Sequence, residues 1–259
     1  MFQNLGLQLF TIRDYMKDPE FADLSFRRLR ELGYTEAQAA GCTFDPKLFG
    51  ELLQKNGIKV VGNHCSLDDL IKTPDKTMEI HRMWGTTNLG IGGIPHEARA
   101  SLEALRKFIK DYNRAAEEFA KEGFKLTFHN HNYELEQIDG TKTVLDVFAE
   151  EFDPENISFV LDTCWVAAGG GDVCHWIDKL AGRIDILHLK DLSVKVARAP
   201  TPEFSLREVG YGNLYWDGIM AAAERAGVKH YTVEQDSNWT ETPFKSLEMS
   251  ANFLKKYQK

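Results

Sequence analysis

The sequence predicts a single α/β domain, a (β/α)8 barrel of the TIM-barrel class that spans residues 1–259. Three observations support this prediction. Short apolar runs alternate with amphipathic stretches, which is the pattern of a parallel sheet covered by helices. Eight such units occur, and eight are enough to close the sheet into a barrel. The length also fits, because a barrel of about 250 residues usually forms one domain.

Glycines separate the predicted elements in the first half of the chain. The first helix stops at Gly33 and the second at Gly57, as helices often do at glycine. The apolar residues near one face of the first helix are Phe21, Leu24, Leu29 and Leu32. The predicted order is a strand at 5–10, a helix at 21–32, a strand at 34–40, a helix at 46–56, a strand at 59–65, a helix at 74–84 and a strand at 86–92.

Capping residues mark the helices of the second half. Ser101 is placed to cap a long helix that ends at Gly123, Asp172 is a second N-cap, and Gly227 ends a later helix. The predicted order is a helix at 101–122, a strand at 125–131, a helix at 142–152, a strand at 157–163, a helix at 173–181, a strand at 184–189, a helix at 216–226, a strand at 230–235 and a helix at 243–257.

A doubly wound open sheet is the alternative fold. That fold normally carries a glycine-rich phosphate turn after its first strand, whereas here Thr11–Asp14 follow the first strand without a GxGxxG motif. One long irregular stretch, residues 193–213, precedes the helix at 216–226. Because the loops after the strands form the catalytic face of a barrel, this stretch is a candidate lid.

Composition limits the kinds of molecule that this protein is expected to bind and the compartment in which it is expected to work. The net charge of -8 argues against nucleic acid and anionic membranes as partners. The four cysteines form no CxxC pair, which favours reduced thiols in a cytoplasmic protein. The N-terminus shows no secretory signal, and no apolar run approaches the roughly 20 residues that span a bilayer. Barrels of this type often pair, so a homodimer is an open alternative.

Four consecutive predicted strands, starting with the fifth, deliver metal-capable side chains at their C-terminal ends. Asp162, His188 and Glu234 stand at the ends of the last three of these strands. Strand ends of a barrel converge on one mouth, so these side chains are expected to be neighbours. Two carboxylates and an imidazole suit one divalent ion, Mn²⁺ or Mg²⁺, with Co²⁺ and Zn²⁺ as alternatives.

The fourth ligand comes from the segment after Lys125-Leu126-Thr127, and two residues compete for the position. Glu134 is preferred, because hard cations favour carboxylate oxygen. His129 is the rival, because it stands at the strand end itself. If Glu134 is the ligand, His129 and His131, which share one face of the strand, are free to bind substrate or transfer protons.

Three further residues are candidates for contact with a substrate. His64 ends the third strand and should face the mouth. Trp165 lies just past Asp162 and could stack on the apolar face of a sugar, although a place in the core is equally compatible with its position. Lys190 follows His188 by two residues and could stabilise a negatively charged oxygen, or be a solvated loop cation.

Several strings resemble the sugar phosphate isomerase/epimerase group of the xylose isomerase-like TIM barrel superfamily, and together they span nearly the whole chain. They are LGLQLFTIRD, FHNHNYELE, FVLDTCWVAAGGGD, ILHLKDL, EVGYGNLYW and YTVEQD. The resemblance implies a divalent metal held by Glu, Asp, His and Glu from the last four strands. Asp162, His188 and Glu234 match that pattern, whereas many members carry a glutamate where this chain has His129.

The expected function is a metal-dependent isomerase or epimerase that acts on a small carbohydrate. The metal would polarise a carbonyl and acidify the neighbouring C–H, and a carboxylate or imidazole would move the proton through an enediolate. Glu234 and His131 are the acid/base candidates, with Lys190 on the enediolate oxygen. The alternative is a lyase or dehydratase that uses the same site on a keto-sugar or keto-inositol. The acidic charge argues against a DNA repair endonuclease.

Overall fold

A computed structural model of the chain describes residues 2–195 and 203–259. In these ranges, eight strands pair in parallel and close into a barrel, which confirms the predicted fold. We number the barrel strands in chain order. They are β1 (Leu5–Gln8), β2 (Tyr34–Ala39), β3 (Lys59–Cys65), β4 (Asn88–Ile91), β5 (Lys125–His129), β6 (Ile157–Asp162), β7 (Ile184–Leu189) and β8 (His230–Val233).

The barrel strands follow one another around the barrel in chain order, and β8 pairs with β1 to close it. Ten α-helices of the described ranges surround the strands, and none of them is long and apolar enough to cross a bilayer. They are α1 (Pro19–Glu31), α2 (Pro46–Lys55), α3 (Leu67–Lys72), α4 (Pro74–Met83), α5 (Leu102–Lys121), α6 (Val144–Glu151), α7 (Thr163–Ala168), α8 (Val173–Lys179), α9 (Trp216–Ala226) and α10 (Pro243–Leu254).

The predicted caps are present in the structure. The Ser101 side chain accepts a hydrogen bond from the backbone N–H of Ala104, and the Asp172 side chain accepts one from that of His175. Gly227 ends α9 in the left-handed conformation that favours glycine, with φ of 71°. Local sequence therefore fixes where these helices begin and end.

The apolar face of α1 differs from the prediction. Phe21 and Leu24 are 60% and 51% exposed, although both were expected to share the buried face. The buried positions of this helix are Ala22, Ser25, Phe26 and Leu29. Phe26 is the large residue of that face, and its ring packs edge-on against Phe49 of α2. The helix is therefore rotated so that Phe26, and not Phe21, reaches the core.

The predicted irregular stretch contains a β-hairpin in the part that the structure describes. Asp191–Lys195 pairs antiparallel with Glu203–Arg207, and residues 196–202 between them lie outside the described residues. We call this pair of strands the mouth hairpin, because it directly follows the C-terminal end of β7. A second, smaller hairpin joins Gln137–Asp139 to Lys142–Thr143 before α6.

Apolar side chains fill the interior of the barrel beneath the C-terminal ends of the strands. Val61, Val160 and Ile186 form a buried apolar cluster separate from the larger core between strands and helices. Val160 and Ile186 stand two residues before Asp162 and His188, so each pair shares one face of its strand. The polar side chains at the strand ends therefore lie directly above apolar residues inside the barrel. Gly90 allows β4 to approach β5, because a Cβ there would lie 1.7 Å from the Thr127 carbonyl oxygen.

Candidate metal centre and active site

Among the described residues, four metal-capable side chains meet at the C-terminal ends of neighbouring strands. They are His129, Asp162, His188 and Glu234, and one ligand atom from each lies within 4.8 Å of the other three. All four residues are buried. We call these residues the buried quartet.

The strand register explains why residues distant in sequence meet here. His129 and Asp162 end β5 and β6, His188 stands one residue before the end of β7, and Glu234 directly follows β8. Asp162 pairs with His188 across β6 and β7. The predicted convergence of Asp162, His188 and Glu234 is thus observed, and His129 completes the group.

Hydrogen bonds outside the quartet fix which histidine nitrogen faces it. The Nδ1 atom of His129 lies 3.1 Å from the carbonyl oxygen of Gly92, so this nitrogen carries the proton and donates it. The Nε2 atom of His188 likewise donates to the Oε1 atom of Gln38. Each imidazole therefore directs its other nitrogen, Nε2 of His129 and Nδ1 of His188, towards the carboxylates. Such outer hydrogen bonds are typical of histidines that bind metals.

Two buried ligand atoms of the quartet, Oδ2 of Asp162 and Nε2 of His129, have no hydrogen-bond partner within the described residues. The Asp162 oxygen lies 3.6 Å from Nε2 of His129 and from Nδ1 of His188, and the latter nitrogen lies 2.9 Å from Oε2 of Glu234. Buried polar atoms normally have partners, so the two unpaired atoms indicate a place for a ligand. Two imidazole nitrogens and two carboxylates fit a divalent cation of borderline hardness.

Electrostatics within the quartet favour ionised carboxylates. Burial raises the pKa of Glu234, but the charges of Lys190 and His188 outweigh burial and hold that pKa well below its usual range. Burial lowers the pKa of His188, while Glu234 and Asp162 raise it to about 9. The quartet is therefore a concentration of negative charge that attracts cations, including protons on His188.

Lys190 is buried beside the quartet and is not a solvated loop cation. Its Nζ atom lies 3.7 Å from Oδ2 of Asp162, 3.3 Å from Oε2 of Glu234 and 2.6 Å from Oδ2 of Asp236. Burial lowers the pKa of Lys190, but these carboxylates raise it above its usual value, so the side chain is an ammonium ion. The same nitrogen lies 4.6 Å from the centre of the Trp165 ring, which is only partly buried.

His131 extends the polar surface from the quartet towards Trp165. Its ring lies 4.8 Å from that of His129 and 5.6 Å from that of Trp165, between ring centres. The Tyr133 hydroxyl lies 3.0 Å from Nδ1 of His131, and the two rings are stacked. Burial and the nearby His129 lower the pKa of His131 to about 3, so its imidazole is neutral at pH 7.

Glu134 lies outside the quartet. It belongs to one turn of 3-10 helix, Asn132–Leu135, and its Oε2 atom accepts a 2.8 Å hydrogen bond from the backbone N–H of His131. The side chain is fully buried, and burial raises the pKa of its carboxyl group to about 7. The turn after β5 thus directs this carboxylate back to the backbone, so the structure groups His129 rather than Glu134 with the other three ligand candidates.

His64 faces the quartet from β3, as the sequence predicts. Its ring centre lies 5.0 Å from that of His129 and 5.7 Å from that of His188. Burial lowers its pKa well below the usual range, so it is neutral. His64 also lines a cavity of about 510 Å³ beside the mouth. This arrangement is compatible with contact to a molecule bound over the quartet.

The residues that sequence reasoning missed are Gln8, Gln38 and Asp236. Gln8 donates a 2.9 Å hydrogen bond to Gln38, whose oxygen also accepts from His188. Both glutamines stand near the C-terminal ends of apolar strands, which is the same signal that identified Asp162. Asp236 follows Glu234 by two residues and binds Lys190. An amide at a strand end does not by itself indicate a metal site, and Asp236 lies beyond the end of β8, where strand periodicity no longer predicts the direction of a side chain.

Comparison with known proteins places the fold among characterised enzymes. A family model described as the xylose isomerase-like TIM barrel matches residues 26–257. Inosose dehydratase of Geobacillus thermodenitrificans is 33% identical over 89 residues, which cover 34% of this chain and 29% of that protein. The match therefore spans less than a third of the relative's own length.

Solved structures of the same shape cover almost the whole chain. A sugar phosphate isomerase/epimerase from Parabacteroides distasonis has a TM-score of 0.77 at 20% identity, with 98% of this chain and 94% of that one covered. D-allulose 3-epimerase from Methylomonas sp., in complex with D-allulose, has a TM-score of 0.72 at 16% identity, with coverage of 98% and 97%. The IOLI protein with a bound zinc atom has a TM-score of 0.71 at 14% identity, with 96% of each chain covered. At these identities the likeness concerns the fold alone.

Proposed function

The chain belongs to the xylose isomerase-like TIM barrel family, and from this premise we propose that it is a metal-dependent sugar isomerase or epimerase. The observation that carries the proposal is the buried quartet, in which four metal-capable side chains converge and two ligand atoms, Oδ2 of Asp162 and Nε2 of His129, have no hydrogen-bond partner within the described residues. The sugar isomerases and epimerases among the structural neighbours favour a carbohydrate as the substrate.

We propose His129, Asp162, His188 and Glu234 as the metal ligands, with His129 in place of Glu134. One oxygen of Glu134 accepts from a backbone N–H and the carboxylate lies outside the group of converging ligand atoms, whereas the free nitrogen of His129 faces Asp162. Two imidazoles and two carboxylates favour Mn²⁺ over Mg²⁺, because Mg²⁺ prefers oxygen ligands throughout. Zn²⁺ and Co²⁺ suit the same ligands, and zinc is the atom bound in one structural neighbour.

A divalent ion held here would supply Lewis-acid polarisation of a carbonyl and its adjacent hydroxyl. The residues around it provide the remaining chemistry. His131 is neutral at pH 7 and can accept a proton from carbon, and Glu234 is the second candidate for that role. Lys190, as an ammonium ion, stabilises the negative oxygen of an enediolate. Trp165, beside Lys190, and His64, beside His129 and His188, are the residues we propose for contact with the sugar.

Solvent deuterium exchange tests the proposal without knowledge of the physiological sugar. The Mn²⁺-loaded protein is incubated in D2O with a panel of ketoses that includes D-allulose and D-fructose, and products are followed by NMR and mass spectrometry. An epimerase or isomerase gives an isomeric product that carries deuterium at the carbon from which the proton was removed. Asp162→Asn is the inactive control. Protein that binds Mn²⁺ but exchanges no carbon-bound hydrogen in any sugar of the panel argues against the proposal.

The partial match to inosose dehydratase favours a second candidate, a dehydratase of keto-sugars or keto-inositols. Removal of a proton next to a carbonyl is shared by both reactions, but the dehydratase then expels a hydroxyl group from the next carbon. The same incubation with a keto-inositol distinguishes them, because a dehydratase product has lost the mass of one water. An isomeric product of unchanged mass supports the first proposal instead.

A further inference from the structure

Lys190 and a divalent metal ion would share the same carboxylate oxygens. The Nζ atom of Lys190 lies 3.3 Å from Oε2 of Glu234 and 3.7 Å from Oδ2 of Asp162, and both residues belong to the buried quartet. The side chain of Lys190 is only 2% exposed, so water screens its charge little. An ammonium ion in this position opposes the entry of a second cation, because like charges repel strongly where water is excluded.

Asp236 gives Lys190 a partner outside the quartet. Its Oδ2 atom is 2.6 Å from the Lys190 nitrogen, which makes this the shortest of the three carboxylate contacts. The other oxygen, Oδ1, is buried and has no hydrogen-bond partner among the described residues. Arg13 donates a 3.1 Å hydrogen bond to the backbone carbonyl of Asp236, which ties this segment to the 3-10 helix that follows β1. The Asp236 side chain is thus held beside Lys190.

Of the three carboxylates around Lys190, only Asp236 lies outside the buried quartet. Without Asp236, the ammonium group of Lys190 has only the Asp162 and Glu234 carboxylates as partners. Those are the carboxylates that a divalent ion in the quartet would need.

We propose that Asp236 is a positioning residue that draws the ammonium group of Lys190 away from the oxygens of Asp162 and Glu234, so that a divalent ion and Lys190 occupy the mouth together. The proposal rests on the metal dependence proposed above. It assigns to Asp236 a role in metal affinity, which acts through Lys190 and not through a direct bond to the ion.

Calorimetric titration of the metal-free protein with Mn²⁺ tests the proposal by rescue. Asp236→Asn is expected to lower Mn²⁺ affinity roughly 10- to 100-fold, the scale seen when outer partners of a metal site are lost. Lys190→Met added to Asp236→Asn should return the affinity to within about threefold of the wild-type value, because the competing cation is gone. The double variant also keeps the local charge balance of the wild type, which favours folding.

Lys229→Met added to Asp236→Asn is the matched control. Lys229 pairs with Asp185 at 2.8 Å, and it precedes β8 at the opposite end of the strand from Glu234. Its loss restores the net charge of the chain but not the charge beside the quartet, so it should not rescue Mn²⁺ affinity. Circular dichroism confirms that each variant is folded.

Each outcome of the titration decides something. If Asp236→Asn binds Mn²⁺ as tightly as the wild type, Asp236 has no positioning role. The same conclusion follows if the double variant with Lys190→Met binds Mn²⁺ no more tightly than Asp236→Asn. In both cases the proposed function stands. Rescue by Lys229→Met equal to that by Lys190→Met also overturns it, because a general charge effect then suffices. A wild-type protein that binds no Mn²⁺, Zn²⁺ or Co²⁺ overturns the proposed function as well.

Discussion

Each histidine of the buried quartet has one nitrogen bound outside the quartet and one directed into it. The outer partners are the carbonyl of Gly92 for His129 and the side chain of Gln38 for His188. Asp162 follows the same plan, because its Oδ1 atom accepts a hydrogen bond from the backbone N–H of Trp165. The orientation of the ligand atoms is therefore set by the protein before any cation arrives, which reduces the entropy lost on binding.

Gln38 is the outer partner that is simplest to remove. Gln38→Leu takes away the acceptor for Nε2 of His188, so the ring loses its fixed orientation and tautomer. We expect Mn²⁺ affinity to fall roughly 10- to 100-fold, measured by calorimetric titration. Gln54→Leu, an exposed glutamine of α2, is the control and should bind Mn²⁺ like the wild type. Equal affinities in the two variants would show that the Gln38 contact does not tune the site.

The choice between His129 and Glu134 is decided by two substitutions. We expect His129→Ala to lower Mn²⁺ affinity by more than the roughly 10- to 100-fold cost of an outer partner, because a direct ligand is lost. Glu134→Gln should keep affinity close to that of the wild type, since the Gln oxygen can still accept from the His131 N–H. The reverse result, with affinity lost in Glu134→Gln only, would restore Glu134 as the ligand.

Glu134 should also make stability depend on pH. Its pKa is raised from 4.5 to about 7 by burial, so the folded protein keeps the proton while the unfolded chain releases it. The contribution of this group is fully present below pH 4.5 and is lost as pH rises through 7. By linkage, the loss is on the order of 3 kcal/mol at 1.36 kcal/mol per pKa unit.

Urea unfolding of metal-free wild type and Glu134→Gln measures this loss directly. The free energy of unfolding of the variant should rise relative to that of the wild type between pH 5 and pH 8, because the amide does not ionise. If the difference in unfolding free energy between the two proteins did not change with pH, the raised pKa of Glu134 would be contradicted. All other titrating groups are shared by the two proteins, so their contributions cancel in the comparison.

At the scale of the elements, the predicted strands and helices occur in the predicted order, but six of the eight strands are shorter than predicted, and two of these lead directly into the site. The strand predicted at 125–131 ends at His129, and the one predicted at 230–235 ends at Val233. In both cases the chain leaves the sheet where polar side chains find partners in the mouth, such as Glu234 with His188. Apolar periodicity predicts strands, but it does not show at which residue hydrogen bonds within the site replace those between strands.

The mouth hairpin shows a different limit of sequence reasoning. Val194 and Phe204 form a cross-strand pair and are 51% and 54% exposed. A hairpin with apolar residues on its exposed face breaks the usual rule that such residues point inward, so alternation could not identify it. The face of α1 was mispredicted for the same reason, because Phe21 and Leu24 are exposed apolar residues.

Asp191 joins the mouth hairpin to the segment that follows it. Its carboxylate is buried and accepts five hydrogen bonds, four from backbone N–H groups and one from an indole N–H. The donors are Leu192, Gly210, Gly212, Leu214 and Trp216. One side chain therefore holds together the loop that borders the mouth beside Lys190.

Asp191→Ala should destabilise the protein far more than loss of a surface carboxylate. Hydrogen bonds to a charged group contribute about 1.5–3 kcal/mol each, and five donors, two of them in the buried residues Leu192 and Trp216, lose their acceptor, so a loss of about 3 kcal/mol or more is expected in urea unfolding. Asp178→Ala, which breaks an exposed pair with Arg225, should cost about 1 kcal/mol or less. If the two variants lost similar amounts of unfolding free energy, the structural role of Asp191 would be contradicted.

At the scale of the whole molecule, the sequence predicts the site because it predicts the barrel. Parallel strands deliver their C-terminal residues to one mouth, so Asp162, His188 and Glu234 could be grouped without coordinates. The fourth member and the outer partners could not be predicted in this way. They depend on the turn after β5 and on contacts across the barrel between β2 and β7, which leave no local pattern in the chain.

The same topology predicts that metal binding stabilises the entire fold. The quartet joins four neighbouring strands, from His129 of β5 to Glu234 after β8, so unfolding of the barrel destroys the site. A ligand that binds only the folded state, at about 100 times its dissociation constant, adds about 2.7 kcal/mol. For a domain near 250 residues, each kcal/mol raises the melting temperature by roughly 2–4 °C, so Mn²⁺ should raise it by about 5–10 °C.

Differential scanning calorimetry of the metal-free protein with and without Mn²⁺ measures this shift. Asp162→Asn should abolish it, because the substitution replaces an anionic oxygen at the centre of the quartet with a neutral amide. Asp75→Asn, an exposed carboxylate on α4, should keep the full shift. An equal shift in Asp162→Asn and the wild type would place the binding of Mn²⁺ elsewhere on the acidic surface. The comparison thus separates a site built by four strands from the general attraction of a chain with net charge -8 for divalent cations.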